Sequence, residues 1–285
     1  MPELPEVETS RRGIQPYILN QTVNTVIIRQ KQLRWPIPAS LKTQLPGQKI
    51  LSVRRRGKYI LLGTDIGTVI LHLGMSGSLR ILDKKAPAEK HDHLDIGFNN
   101  NKILRLRDPR RFGAVLWTKT DPLKHKLLSK LGPEPLAAEV LDEKLVGIES
   151  TDEFTAEYLY QLSRSRKVAI KVLLMNSQVV VGVGNIYANE SLFSAGINPT
   201  RSAHKISLKR YQILVPAIKT ILQRSIEQGG TTLRDFTQQD GKPGYFQQTL
   251  SVYGRAGEAC VNCGKTIKQI TQAQRSTFYC SHCQT

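Results

Sequence analysis

The chain has 285 residues, 40% hydrophobic and 22% charged, with 41 Lys+Arg against 23 Asp+Glu and a formal net charge of +18. That length allows a sizeable core and sets two domains as the expectation; no apolar run approaches the ~20 residues of a membrane span, and the N-terminus lacks the apolar core of a secretory signal, so a cytosolic setting is expected. The charge excess points to a polyanion, and its interleaving with strand and helix patterns points to a folded nucleic-acid surface rather than a basic tail or a membrane-bound helix.

The first residues, MPELPEVETSRRG, read as a short helix. Pro2 and Pro5 suit a helix start, where a missing N–H costs nothing. Glu3, Glu6 and Glu8 lie toward the positive end of the helix dipole, Arg11 and Arg12 toward the negative end, and Gly13 is the expected stop. Strand-like stretches follow at 22–29, 49–64 and 67–82. Residues 84–93 are polar with a proline and read as a loop. The runs 94–98 and 102–108 flank Asn99-Asn100-Asn101, a hairpin-turn signal, and 113–119 adds another strand. Short strands at this spacing predict an antiparallel sandwich or barrel.

Four motifs in this half could carry chemistry. Lys58, in Arg54-Arg55-Arg56-Gly57-Lys58-Tyr59, suits a phosphate contact, a catalytic ammonium or a solvated face. Met75 sits between glycines at an expected turn, although a lone methionine usually packs in a core. His91-Asp92-His93 could place two imidazoles on one strand face; without a third ligand nearby, a phosphate contact or a plain loop histidine is the better reading. Asp108-Pro109-Arg110-Arg111-Phe112-Gly113 joins two strands. It reads either as a wedge for an unstacked base step or as a salt-bridged turn with Phe112 in the core.

At 131–137 two prolines and a glycine break the pattern, which then turns helical over 154–165, 167–176, 186–196 and 207–230. Pro216 falls inside the last of these and is expected to kink it. Gly182 and Gly184 precede a helix start where backbone amides attract phosphate, and Asn185 is expected at the N-cap, as a cap or as a phosphate contact. Residues 229–246 are rich in glycine and polar residues and read as a loop. All four cysteines follow, Cys260-X-X-Cys263 and Cys280-X-X-Cys283, with sixteen residues between the pairs. This is the spacing of a zinc ribbon holding one structural ion between two knuckles. Two disulfides fit poorly with a chain lacking an export signal, and iron is the other metal such a site takes. The intervening hairpin carries Gln274-Arg275-Ser276, and Arg275 could enter a groove, clasp phosphate or simply face solvent.

In order along the chain, PELPEVE, RRGKY, HLGMSG, HDH, DPRRFG, VGVGNIYANE, GGTTLRDF, DGKPGYF and AQRSTFYC resemble one family. It is the formamidopyrimidine-DNA glycosylases, bacterial 8-oxoguanine DNA glycosylase/AP lyases. The resemblance runs from Pro2 to Cys283 and loses its pattern near 84–90 and 137–153. It implies an α+β, multidomain fold: an N-terminal catalytic β-sandwich opened by a helix (1–133), a helix-two-turn-helix DNA-binding domain with a lesion-capping loop (134–246), and a C-terminal β-hairpin zinc finger (247–285).

The resemblance also implies roles. Pro2, freed of Met1, would be the nucleophile and Glu3 the proton shuttle. Lys58 would donate a proton during β-elimination, and Arg275 would bind phosphate and support δ-elimination. His91, Arg110, Lys167 and Asn185 would hold phosphates. Met75, Arg110 and Phe112 would fill the space left by an extruded base. The implied partner is double-stranded DNA with oxidised purines or abasic sites, met by a cytoplasmic, nucleoid-acting monomer. Two other readings compete. An endonuclease VIII-type glycosylase shares the Pro-Glu chemistry but prefers oxidised pyrimidines; the PELPEVE start and the TTLRDF loop favour purine lesions. A non-catalytic zinc-ribbon DNA-binding protein accounts for the charge and the cysteines but not for the Pro-Glu start.

Overall fold

The structure is a computed structural model that describes residues 2–136, 153–229 and 250–285. Met1, the stretch 137–152, the expected boundary at 246/247 and the expected loop 229–246, apart from Gly229, lie outside the described residues. The chain divides into two compact units, one holding residues 2–130 and 228–229 and the other 131–136, 153–227 and 250–285. No helix among the described residues is long and apolar enough to cross a membrane.

The first unit opens with α1, Leu4–Ile18. The stop expected at Gly13 does not occur. Ile14 and Ile18, 1% and 0% exposed, carry the helix another turn into the core, and their burial outweighs the ~1 kcal/mol cost of a helical glycine. Arg11 and Arg12 are therefore mid-helix, and a side chain, Glu8, balances them in place of the dipole.

Eight strands follow: β1 (Val23–Ile28), β2 (Ser52–Arg56), β3 (Tyr59–Gly63), β4 (Thr68–His72), β5 (Ser78–Asp83), β6 (Asp92–Phe98), β7 (Lys102–Arg107) and β8 (Ala114–Thr118), with a short α2 (Leu41–Gln44) between the first two. They form two antiparallel four-stranded sheets, ordered β1-β6-β7-β5 and β2-β3-β4-β8. Ile60, Leu62, Val69 and Leu71 of one sheet share a core with Ile96, Leu104 and Leu106 of the other. That shared core is the signature of a sandwich. Two stretches that look continuous in sequence are each broken. Residues 49–64 fold back at Gly57, where φ is 55°, into the β2–β3 hairpin. Residues 67–82 leave β4 at His72, turn through Leu73–Gly77 and enter β5 of the opposite sheet.

α1 touches both sheets, through β2, β3, β5 and β7. It is pinned by Glu8, which is fully buried. Glu8 accepts hydrogen bonds from Arg11 Nη2 at 2.7 Å, Arg12 Nε at 2.8 Å and Arg55 Nε, on β2, at 3.1 Å. Burial alone would push the Glu8 carboxyl up, but the Arg11 hydrogen bond and the Arg55 and Arg11 charges outweigh it and hold it below the ordinary carboxylate range.

The second unit contains α3 (Ala156–Ser163), α4 (Ile170–Leu174), α5 (Asn185–Ser194), α6 (Leu208–Glu227) and a hairpin of β9 (Lys268–Gln272) and β10 (Arg275–Tyr279). Thr155 caps α3 by accepting from the Tyr158 N–H at 3.1 Å. α6 runs through Pro216 as one helix. The N-cap of α5 is Gly184 rather than Asn185. Asn185 is the first helical residue because its side chain is committed elsewhere, as described below.

Removing one partner of a buried ion network leaves the others uncompensated. Glu8→Gln is therefore expected to destabilise the first unit by about 3–5 kcal/mol at pH 7, read by urea unfolding. The folded-state pKa of Glu8 lies below its ordinary 4.5. Its contribution is complete above that ordinary value and is lost as pH falls through the lowered one. The gap between wild type and variant should accordingly shrink in acid.

Candidate catalytic and nucleic-acid site

The first unit places the expected nucleophile and acid at the start of α1. Pro2 is buried and Glu3 is 2% exposed. Glu3 has extended backbone angles and is the N-cap; its carbonyl takes the first helical bond, from Val7 N at 3.1 Å, while its own N–H donates to Glu6 Oε2 at 2.8 Å. Residues 2 and 3 are thus held at the positive end of a fifteen-residue helix.

Lys58 sits half-buried in the β2–β3 turn. Arg55, 2% exposed, donates to the carbonyl of Gly57 at 2.9 Å as well as to Glu8. One guanidinium therefore links α1 to the peptide that carries Lys58. Beside this turn lies His72, its ring 4.8 Å from that of Tyr59. Burial, with the charges of Lys58 and Arg34, pushes His72 down to about 4, so it is neutral at pH 7. Its Nδ1 accepts the Gly74 N–H at 3.0 Å, which leaves the ring proton on Nε2.

Met75 lies in the turn after His72, and Arg110 and Phe112 in the turn between β7 and β8. The structure brings these two turns together. Gly74, at φ 65°, packs so tightly that a Cβ there would lie 2.4 Å from Gly113 N. Phe112 is 46% exposed rather than in the core, with the Arg110 guanidinium 4.9 Å from its ring centre. The salt-bridged-turn alternative for Phe112 is thereby set aside. His91 is half-buried at φ 75°, and burial with the charge of Lys90 lowers its pKa. His93 is buried on β6, its Nε2 2.8 Å from the Asp108 carbonyl. The two imidazole rings pack edge to face with centroids 6.3 Å apart, and no metal cluster involving either occurs among the described residues.

In the second unit Lys167 is exposed ahead of α4, and Arg275 is exposed at the start of β10. Asn185 Nδ2 donates to the Ser276 carbonyl at 3.0 Å. That bond takes one of the two Nδ2 hydrogens; the Asn185 main-chain N–H is a further donor, in the first turn of α5, where donors lack intrahelical acceptors. Lys171, 1% exposed, donates to the same Ser276 carbonyl at 2.9 Å and to Thr277 Oγ1 at 2.7 Å. Asn189 accepts the Phe278 N–H at 2.8 Å. The Glu190 carboxylate accepts the amides of Ser251, Val252 and Tyr253 at 2.8–2.9 Å. Sequence reasoning missed all three. A lysine inside an apolar helix pattern is the one signal that could have flagged Lys171.

The sulfurs of Cys260, Cys263, Cys280 and Cys283 all lie within 4.8 Å of one another; Cys263–Cys280 is 3.5 Å and Cys260–Cys283 is 3.9 Å. A tetrahedral ion with Zn–S near 2.3 Å needs sulfurs about 3.8 Å apart. The donor set therefore fits one zinc ion, with no open position for chemistry. No disulfide joins them.

Family models match three segments: the formamidopyrimidine-DNA glycosylase N-terminal domain over residues 1–115, the formamidopyrimidine-DNA glycosylase H2TH domain over 131–237, and a zinc finger found in FPG and IleRS over 257–285. The chain is 55% identical to a formamidopyrimidine-DNA glycosylase of Proteus mirabilis, covering 100% of this chain and 98% of the relative. It is 54% identical to one of Pseudomonas aeruginosa over the full length of both. Among solved structures it matches the Lactococcus lactis Fpg bound to DNA containing an abasic site (34% identity, TM-score 0.86, 99% of each chain). It also matches the MutM (Fpg) protein of Thermus thermophilus (32%, TM-score 0.82, 99% of this chain and 98% of that one).

The purified protein is expected to carry one zinc per chain, read by a metallochromic dye after thiol modification. Chelation under mild denaturant should strip hydrogen-exchange protection from β9 and β10, because zinc-dependent modules lose their fold with the metal. Protection of β6 and β7 should persist. A metal-free hairpin with full protection would contradict the assignment.

Proposed function

The chain belongs to the formamidopyrimidine-DNA glycosylase family, and on that premise we propose that it excises oxidised purines from DNA and then cuts the strand by β,δ-elimination through Pro2. The observation that carries this reading is the placement of Pro2 and a buried Glu3 at the N-terminus of α1. The Lactococcus lactis relatives are bound to DNA with abasic sites and with Fapy-dG, and the same classes of ligand are proposed here.

A base in a duplex is reached at its sugar only after extrusion. An α-amino group titrates near 8 against about 10.4 for lysine, so more of it is unprotonated at pH 7, and the helix dipole disfavours charge there further. Once Met1 is removed, the Pro2 nitrogen attacks C1′. The bond to the base breaks with its electron pair, and the base leaves protonated. Glu3 passes a proton to the opening sugar, a general acid–base role, leaving an iminium between Pro2 and C1′. The iminium acidifies the 2′ hydrogens. Loss of one, with Lys58 supplying a proton, expels the 3′ phosphate; a second elimination, supported by Arg275, expels the 5′ phosphate. Covalent catalysis thus divides one hard step into easier ones.

His91, Arg110, Lys167 and the Asn185 amide hold phosphates in this reading, while Met75, Arg110 and Phe112 fill the vacated stack. The zinc ion supports the fold of the hairpin that presents Arg275.

Pro2→Gly should lose at least ~100-fold in single-turnover excision while its DNA Kd stays within about threefold, the pattern of a group acting after binding. Excision of 8-oxoguanine opposite cytosine should exceed that of thymine glycol. The reverse preference would move the chain to the endonuclease VIII type of reading, and tight binding without excision to a DNA-binding module.

A further inference from the structure

Two side chains between the wedge turns have no part in the chemistry above. Asp108 is fully buried, Ser76 is 7% exposed, and among the described residues Asp108 forms no ion pair. Its Oδ1 accepts from the Ser76 hydroxyl at 2.8 Å and its Oδ2 from the Gly113 N–H at 2.7 Å. The Ser76 oxygen in turn accepts the Arg110 N–H at 3.1 Å. One hydroxyl is therefore bonded on both sides, to the residue that opens the second turn and to the residue after Pro109. The Asp108 main chain adds to this: its carbonyl accepts from Arg111 N at 3.1 Å and lies 2.8 Å from His93 Nε2, and its N–H donates to the His91 carbonyl at 3.1 Å. Met75 immediately precedes Ser76; Arg110 and Phe112 bracket Arg111, which is itself held at φ 57°.

We propose that Ser76 and Asp108 form a positioning clamp that sets Met75 against Arg110 and Phe112, and that extrusion of a damaged base from duplex DNA depends on it. The inference rests on the function proposed above, in which those three side chains occupy the vacated stack. Unstacking a base step costs a few kcal/mol. A half-exposed phenylalanine on a turn meets that cost only if its geometry is fixed before contact, since ordering it during insertion would subtract from the gain. The clamp supplies the fixed geometry. Without the Ser76 hydroxyl, the Asp108 oxygen and the Arg110 N–H lose their shared partner, and the two turns are joined only by packing and by the β4–β8 ladder at their base. Ser76 and Asp108 touch neither the sugar nor the base in this account, so they are positioning residues.

An abasic site has no base to extrude, and this separates the clamp from the chemistry. Ser76→Ala should lower single-turnover excision of 8-oxoguanine from a duplex by about tenfold or more, while strand cleavage at a preformed abasic site stays within about twofold of wild type. In a Phe112→Ala background, Ser76→Ala should add less than about twofold to the excision defect, because residues acting through one device are not additive. Asp108→Asn carries the same comparison should the alanine variant fail to fold. Equal losses on both substrates, a full effect in the Phe112→Ala background, or wild-type excision would overturn the clamp while leaving the proposed function standing. If the wild-type protein cleaves neither substrate, the proposed function falls, and the clamp with it.

Discussion

Glu8 is a carboxylate with no exposed surface, and three guanidinium groups converge on it. A charge cannot be left alone at that depth, so the pairing dictates how α1 lies on β2. Leu4, Val7, Ile14 and Ile18 supply the apolar area, but apolar contact is non-directional and does not fix a helix's rotation. The Glu8–Arg55 pair does. Because Arg55 also binds the Gly57 carbonyl, the same constraint reaches the turn of Lys58. The start of α1 and that turn, proposed to hold the nucleophile, its acid and an elimination donor, are thus positioned by one buried ionic network rather than by the groups that react.

The second unit solves a similar problem with different chemistry. A two-stranded hairpin has too little apolar surface to hold its own shape. Its small core of Phe193, Val252, Cys260, Ile267, Phe278 and Cys280 is supplemented by the four-cysteine site and by polar ties to α4 and α5. Lys171 and Asn185 share the Ser276 carbonyl, Asn189 takes the Phe278 amide, and Glu190 gathers three successive amides at 251–253. Arg275, next to Ser276, is thereby exposed on a backbone that is itself anchored. Titration of the cysteines follows their crowding. Burial pushes Cys280 up, but the amides of Cys283 and His282 bring it below its ordinary value. Hydrogen bonding from Cys263 and burial push Cys283 the other way. A divalent ion removes that competition because coordination deprotonates the thiols outright.

Much of this could be read before the structure, for physical reasons that differ from residue to residue. The cysteine spacing stated its ligand geometry directly, because two knuckles and a hairpin have few other solutions. The Asp108–Gly113 turn was visible in its own residues, yet whether Phe112 pointed in or out was not. That is decided by Ser76 and Gly74, over thirty positions away in sequence. Gly13 misled because local propensity is a weak prior, and Ile14 and Ile18 override it through burial. Asn185 misled for a related reason: a good N-cap side chain is diverted by an acceptor, Ser276, ninety-one residues on. The run 49–64 concealed a hairpin because the residues on both sides of the turn read as strand and the turn has only Gly57 to announce it. Individual roles at Pro2, Glu3, Lys58 and the phosphate contacts came from the ordered set of motifs; no single spacing carried them.

In the proposed reaction the amine at the head of α1 becomes bonded to the sugar. Borohydride reduction of a reaction on abasic-site DNA, followed by proteolysis and mass spectrometry of the adduct, tests it directly. A stable one-to-one adduct is expected on the Pro2 nitrogen of a chain lacking Met1. An adduct on Lys58 or another lysine, or cleavage of the DNA with no trapped species at all, would contradict it.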